Sequence, residues 1–188
     1  MHHLKKFKTL YAALLLLAGV ILFLYHFPPD QIVAFIGVEN SYLATFLIAS
    51  IGGLTSVFSG VFYAAVATFS SGGANPWLLG LAGGVGIAIG DSLIFALLYY
   101  GVQDIPERWK QRVETVRRRI DQYPAWMIYG GLLLILGFSP VPNDIVMFAL
   151  VMLGFRYLKI APILIVSGIT ITTITALLGQ SLSAYFFG

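Results

Sequence analysis

Two acidic residues lie within long apolar segments of this chain, and their surroundings make them the first candidates for chemistry. Asp91 lies inside the apolar segment 77–100, and Asp144 follows a proline-rich tip inside the apolar segment 125–155. A carboxylate at the centre of a bilayer costs about 2.5–3.5 kcal/mol on insertion scales, so an acid at that depth is a functional candidate by default. Protonation relieves this cost most cheaply. Either acid is therefore suited to carry a proton across a membrane.

Both acids also have a purely structural interpretation. Asp144 can cap a helix that begins at this point, because its side chain can accept hydrogen bonds from the free N–H groups of the first turn. Asp91 can accept hydrogen bonds from exposed peptide groups, or from Ser92 and Thr175. A structural role and a transport role are compatible for each acid.

The composition indicates an integral membrane protein with a single membrane domain. Of 188 residues, 59% are hydrophobic and 10% are charged, and the mean hydropathy is +0.88. Such values are typical of membrane proteins and leave no room for a separate soluble domain. The chain has no cysteine, and none of its three histidines lies at ligand spacing from a carboxylate. We therefore expect no metal, no cofactor and no nucleic-acid partner.

The elements that must position the acids are helices whose backbone is interrupted. The segment Ser139-Pro140-Val141-Pro142-Asn143-Asp144 interrupts a stretch that is otherwise apolar enough for a bilayer. Pro140 and Pro142 each lack an N–H and disfavour helix in the preceding residue. Broken backbone cannot face lipid, so it must be shielded by protein or line a wet cavity. We predict a re-entrant hairpin over 125–155, with a proline-kinked spanning helix as the alternative.

A second broken element is predicted over 41–69. Glycine and hydroxyl residues cluster at its centre, where they loosen a helix and permit close packing: Gly52, Gly53, Thr55, Ser56, Ser59 and Gly60. The alternative is a tightly packed spanning helix. A turn at 70–76 ends this element.

The remaining segments complete an all-α arrangement. We predict transmembrane helices over 10–27, 77–100 and 160–187, a linker over 28–40, and an amphipathic helix on the membrane surface over 103–122. The run 10–27 resembles a signal peptide in its basic start, but aromatic residues and prolines follow it, so we expect a retained helix. Glycines along 77–100 should let another helix approach closely.

The distribution of positive charge predicts the topology. Every lysine and arginine lies within 5–8, 108–119 or 156–159, and the positive-inside rule assigns these three segments to the cytoplasm. Only two hairpins that return, one from each side, satisfy this requirement. The amino terminus is then cytoplasmic and the carboxyl terminus is outside, in a bacterial or archaeal plasma membrane.

This topology is an inverted repeat, in which each re-entrant hairpin precedes a transmembrane helix. Secondary transporters use such repeats and bind substrate near the midplane, where the broken elements meet. The two halves align weakly at an offset of about 84 residues. The pairs aligned at this offset are Gly53 with Gly137, Thr55 with Ser139, Ser59 with Asn143 and Gly84 with Gly168, whereas Leu97 matches Leu177 at an offset of 80.

Over roughly residues 40–180 the chain resembles the DedA superfamily, also called the VTT or SNARE-associated domain. The resemblance lies in Asn75-Pro76, in the glycine-rich span ending at Gly90-Asp91, and in the Ser-Pro-Val-Pro core of the second hairpin. It implies two opposed re-entrant hairpins and transport of phospholipids or polyprenyl-phosphate carriers, in some members linked to protons. The acid that the family carries in the first hairpin, and the arginines of the second, are absent here.

We therefore expect a lipid transporter, either a scramblase or a flippase, that acts as a monomer or an oligomer. The expected transport and proton residues are Asp144 and Asp91. The expected substrate contacts are Asn143, Ser139, Ser59, Thr55 and Arg156, and the expected structural tip residues are Pro140, Pro142, Gly53 and Gly60. A small-solute or ion exporter and a non-transporting assembly factor remain alternatives.

An enzyme is not expected. Intramembrane aspartyl proteases need Gly-x-Gly-Asp, whereas Ala88 stands at the first of these positions. They also need Tyr-Asp, whereas Asn143 precedes Asp144.

Overall fold

The computed structural model describes residues 29–52, 56–101, 107–138 and 143–187, and their regular structure is entirely helical. The helices in these ranges are α1 (Pro29–Ile36), α2 (Val38–Gly52), α3 (Ser56–Ser71), α4 (Pro76–Gly101), α5 (Glu107–Ile120), α6 (Ala125–Phe138), α7 (Asn143–Met152) and α8 (Tyr157–Phe187). The predicted helix over 10–27 lies outside the described residues.

The predicted linker over 28–40 is wrong, because α1 occupies most of it. Pro29 is the first residue of α1, a position where proline's missing N–H costs nothing and its fixed φ favours the helix. Val33 is buried, and Ile32 and Ile36 pack beside it against the other helices. Gly37 ends α1 with a φ of 88°, which a glycine adopts at no steric cost.

Two helices, α4 and α8, are long and apolar enough to cross a membrane. Their most apolar parts are 44% and 39% buried within the protein, so more than half of each faces outward. They match the predicted spans 77–100 and 160–187 closely, although α8 begins three residues early, at Tyr157. The segment 157–159, which carries Lys159, is therefore helical.

Small residues bring α4 and α8 into backbone contact. A Cβ atom on Gly84 would lie 2.5 Å from the backbone nitrogen of Ile169, and one on Gly168 would lie 3.0 Å from the carbonyl oxygen of Gly84. A Cβ on Gly80 would lie within 1.9 Å of Oγ1 of Thr173. The prediction that the glycines of this span admit another helix is thus confirmed.

The shorter helices lie in two consecutive pairs, α2 with α3 and α6 with α7. The backbone N–H of Asn75, which follows α3 and directly precedes α4, donates to the hydroxyl of Tyr42 near the start of α2, over 3.0 Å. In the second pair, the ring of Tyr129 near the start of α6 contacts the ring of Phe155 just after α7, with centroids 6.5 Å apart. In each pair, the start of the first helix therefore lies near the end of the second helix.

Each long helix packs against one helix from each of the two pairs. In the first pair, α2 packs against α4 and α3 packs against α8; in the second, α6 packs against α8 and α7 against α4. The first helix of each pair thus contacts the long helix that follows its own pair, and the second contacts the other long helix. One apolar core lies around Phe62, Val66 and Leu79, and another around Phe95, Met147 and Leu164.

The amphipathic helix α5 lies close to the turn between α7 and α8. A Cβ atom on Gly154 in that turn would lie 3.0 Å from Nη1 of Arg117. Val113 and Ile120 are partly buried, whereas the described basic residues of α5 are exposed. The bases of α5 and those of the 156–159 segment therefore lie at the same end of the molecule.

Candidate functional site

Asp91 is buried midway along α4 and contacts the start of α7. Its side chain is 2% exposed. The amide nitrogen of Asn143, the first residue of α7, lies 3.4 Å from one carboxylate oxygen and 3.5 Å from the other. These are long hydrogen bonds to a carboxyl group that is almost fully buried in the protein. The contact joins the second helix pair to the long helix of the first half.

Asp144 lies beside this contact in the first turn of α7. It is the second residue of the helix, one position inside it, where a carboxylate interacts favourably with the free N–H groups of the helix start. Asp144, the predicted helix cap, and Asn143, which bonds to Asp91, are thus neighbouring residues of one cluster.

A small cavity connects the ends of three short helices beside α4. Its volume is about 20 Å³, which is room for about one water molecule. Gly52 at the end of α2, Ser59 and Tyr63 early in α3, and Asn143 with Asp144 at the start of α7 all line it. Ser59 and Asn143, which the offset of the two halves pairs in sequence, therefore meet at the same cavity.

The structure brings some of the predicted site residues together and separates others. Asn143, Asp144 and Ser59 line the small cavity, and Asp91 is joined to them through its hydrogen bond with Asn143; we call these four residues the central polar cluster. Gly60 is exposed, and a side chain there would meet open space. Thr55, Gly53, Ser139, Pro140 and Pro142 lie outside the described residues.

Arg156 is not part of the central polar cluster. It is exposed and lines a separate cavity of about 750 Å³ at the basic end of the molecule. That cavity also contains Lys159, and its wall includes Ser92 and Tyr157, whose hydroxyl groups are hydrogen-bonded to each other.

The expected alternative partners of Asp91 bond elsewhere. The hydroxyl of Ser92 contacts the carbonyl oxygen of Ala88 as well as Tyr157. The hydroxyl of Thr175 donates to the carbonyl oxygen of Ile171 over 2.8 Å. Thr170 and Thr172 likewise bond to their own helix, as is usual for threonine in such helices.

Tyr63 is a site residue that the sequence analysis missed. It borders the small cavity together with Ser59 and Asn143. Its spacing offered a signal, because Tyr63 lies four residues after Ser59 and so shares a helix face with it. That signal becomes informative only once the segment is known to be helical from Ser56 onward.

The cluster can exchange a small, polar species. A carboxyl group, an amide and a hydroxyl line a space the size of a water molecule, and a second, buried carboxyl group is hydrogen-bonded to that amide. Among the described residues, no three metal-ligating side chains come together. Uptake and release of a proton, or transient contact with a hydroxyl or phosphate group, is the chemistry that these groups suit.

These features define an all-helical protein with two helices able to span a membrane and a buried polar cluster between its halves. No protein-family model, curated protein or solved structure matches the chain.

Proposed function

We propose that the protein resides in a membrane and that its outer surface contacts lipid. A stripe of apolar side chains runs along α4 at four-residue spacing, and all of its members are at least 40% exposed: Leu81, Val85, Ile89, Leu93 and Leu97. At 1.5 Å per residue α4, with 26 residues, extends about 39 Å, which exceeds the roughly 30 Å of a hydrocarbon core, and the stripe covers about 24 Å of that length. Water would disfavour so large an apolar surface, whereas lipid would not.

We further propose that the two helix pairs are re-entrant hairpins of an inverted repeat. None of the four helices reaches a bilayer thickness of about 30 Å, since the longest, with 16 residues, extends about 24 Å. Each long helix packs against one helix of its own half and one helix of the other half, which supports a two-fold relation between the halves. The contact of Gly84 with Gly168 supports it too, because these residues are aligned counterparts and equivalent residues meet at a two-fold axis.

In this arrangement the protein moves lipids or lipid-phosphate carriers across the bilayer, as a scramblase or flippase of the DedA type. The observation that carries this proposal is the hydrogen bond from Asn143 to buried Asp91, which joins the two halves at the middle of α4. Polar groups at that depth give a lipid head-group partners where hydrocarbon offers none. The shared cavity at Ser59 supplies a further hydroxyl.

Asp91 and Asp144 are the proposed proton carriers. Asp91 bonds to Asn143, the residue next to Asp144, so the two carboxyl groups belong to one polar cluster, where two negative charges would repel each other. A proton taken up on one side of the membrane and released on the other would link transport to the proton gradient.

The test is transbilayer movement of labelled phospholipid in liposomes containing the purified protein. We expect wild-type protein to accelerate movement over empty liposomes and Asp144→Asn to slow it. Asp121→Asn is the matched control, because Asp121 is exposed at the end of α5 and distant in sequence from the cluster. Wild-type liposomes no faster than empty ones would contradict lipid transport.

The volume of the small cavity favours one alternative to lipid transport, the export of small solutes or ions. A cavity of about 20 Å³ admits a water-sized species but no phospholipid head-group. Lipid transport therefore requires the hairpins to separate, whereas ion export requires only local movement. Uptake of small ions into the same liposomes, without lipid movement, would favour the exporter.

A further inference from the structure

The cavity of about 750 Å³ at the basic end has the form of an amphiphile site. It lies between the end of α4, the turn after α7 and the start of α8. Arg156 and Lys159 contribute exposed cations, and neither forms an ion pair with another described residue. Tyr99 and Tyr100 contribute half-exposed or exposed rings, and Phe95 contributes a buried one.

We propose that this cavity holds one anionic phospholipid as a resident ligand. Its phosphate contacts Arg156 and Lys159, and its glycerol region lies against Tyr99 and Tyr100. Basic pockets between membrane helices bind anionic head-groups on the cytoplasmic side, the side to which these bases are assigned. Tyrosine suits the same depth, because its ring is apolar and its hydroxyl is polar.

An adjoining groove accounts for the hydrocarbon part of the ligand. It has a volume of about 480 Å³ and lies between α6 and α7, lined by Met127, Leu132, Ile145 and Val146 among others. Phe155 lines both this groove and the basic cavity. The acyl chain of a lipid whose head-group lies at Arg156 can therefore enter the apolar groove past Phe155. A free phosphate has no hydrocarbon part and would not use the groove.

The lipid site is separate from the central polar cluster. Asp91, Asn143, Asp144 and Ser59 do not line the basic cavity. Ser92 and Tyr157 do line the basic cavity, and their hydroxyl groups are hydrogen-bonded to each other. Binding at the basic end can therefore be measured without transport, and failure of either proposal leaves the other testable.

The test is native mass spectrometry of the full chain in detergent, titrated with dioleoyl phosphatidylglycerol or dioleoyl phosphatidylcholine. We expect one phosphatidylglycerol to bind at concentrations where phosphatidylcholine does not. Arg156→Gln with Lys159→Gln should weaken that binding about ten- to thirtyfold, because each base near an anionic surface contributes several-fold. The single variants provide the same test at smaller effect if the double variant does not fold.

The matched control is Arg118→Gln with Arg119→Gln on α5, which removes the same charge at the same end of the molecule. We expect it to change phosphatidylglycerol binding by no more than about twofold, since neither base lines the cavity. Equal losses in both double variants would overturn the proposal in favour of diffuse attraction. So would equal binding of both lipids, or competition by glycerol phosphate at the concentration where phosphatidylglycerol saturates.

Discussion

Replacement of Gly84 by alanine tests the contact between the two long helices. A Cβ atom there would lie 2.4 Å from Cγ1 of Ile169, 2.5 Å from its backbone nitrogen and 2.7 Å from its Cα. The side-chain atom can rotate away, but the backbone atoms cannot. Because nonpolar atoms pack best at about 3.5–4.0 Å, α4 and α8 would have to separate locally by about 1 Å.

The expected cost follows from this overlap. Overpacking a close contact costs about 1–3 kcal/mol, and replacement of a helical glycine by alanine returns about 0.5–1 kcal/mol. The net loss in the free energy of unfolding should be about 1–2 kcal/mol, a five- to thirtyfold change in the folded-to-unfolded ratio. Gly168→Ala should cost less, because its Cβ would lie 3.0 Å from the Gly84 carbonyl oxygen and 3.2 Å from its Cα.

The assay is unfolding in mixed micelles of increasing SDS content, followed by far-ultraviolet circular dichroism. Gly130→Ala is the matched control, because it lies within α6 and a Cβ there would have no atom within 4 Å. We expect stability to fall in the order Gly130→Ala, Gly168→Ala, Gly84→Ala. If Gly84→Ala unfolds at the same SDS fraction as Gly130→Ala, the backbone contact between α4 and α8 is not the one described.

Two further predictions concern the central polar cluster and the topology. The first is a double-mutant cycle of Asp91→Leu and Asn143→Leu, read in the same unfolding assay. The coupling free energy should be about 0.6–1.7 kcal/mol, from the average to the maximum for interhelical hydrogen bonds in membranes. Additive effects would mean that the two side chains do not interact. The chain lacks cysteine, so Gly72→Cys introduces a unique thiol between Ser70 and Asn75, which a membrane-impermeant maleimide should label only from outside. Arg119→Cys on α5 should label only from the cytoplasmic side, and labelling of both thiols from one side would contradict the returning first hairpin.

The sequence predicts the long helices and the places where helices break, because both depend on local composition. Uninterrupted apolar residues define α4 and α8, and glycine and proline mark the ends of the shorter helices. The helix α1 escaped prediction because Pro28 and Pro29, which follow the predicted first span, suggested a linker. Its apolar side chains matter only once α2 and α3 supply a surface for them.

The residues that converge on the site were predictable in part. The offset between the halves paired Ser59 with Asn143, and both line the same cavity. The partner of Asp91 could not be chosen from sequence, because Ser92 and Thr175 were equally plausible donors and their actual bonds depend on helix geometry. Arg156 was predicted as a substrate contact from its sequence proximity to the hairpin; it lies four residues beyond α7 and lines the cavity at the basic end, not the small cavity.

The breaks in the short helices explain how the fold can bury Asp91. A continuous helix presents side chains but no free peptide groups at its middle, whereas a helix that begins at Asn143 presents its first N–H groups and the positive end of its dipole there. Asn143 adds an amide donor at the same point. Asp91 therefore meets two sources of positive potential halfway along α4, at a depth where hydrocarbon would supply none. An uninterrupted helix of equal hydrophobicity in place of α6 and α7 would leave Asp91 without either source, and the acid would then only destabilise the protein.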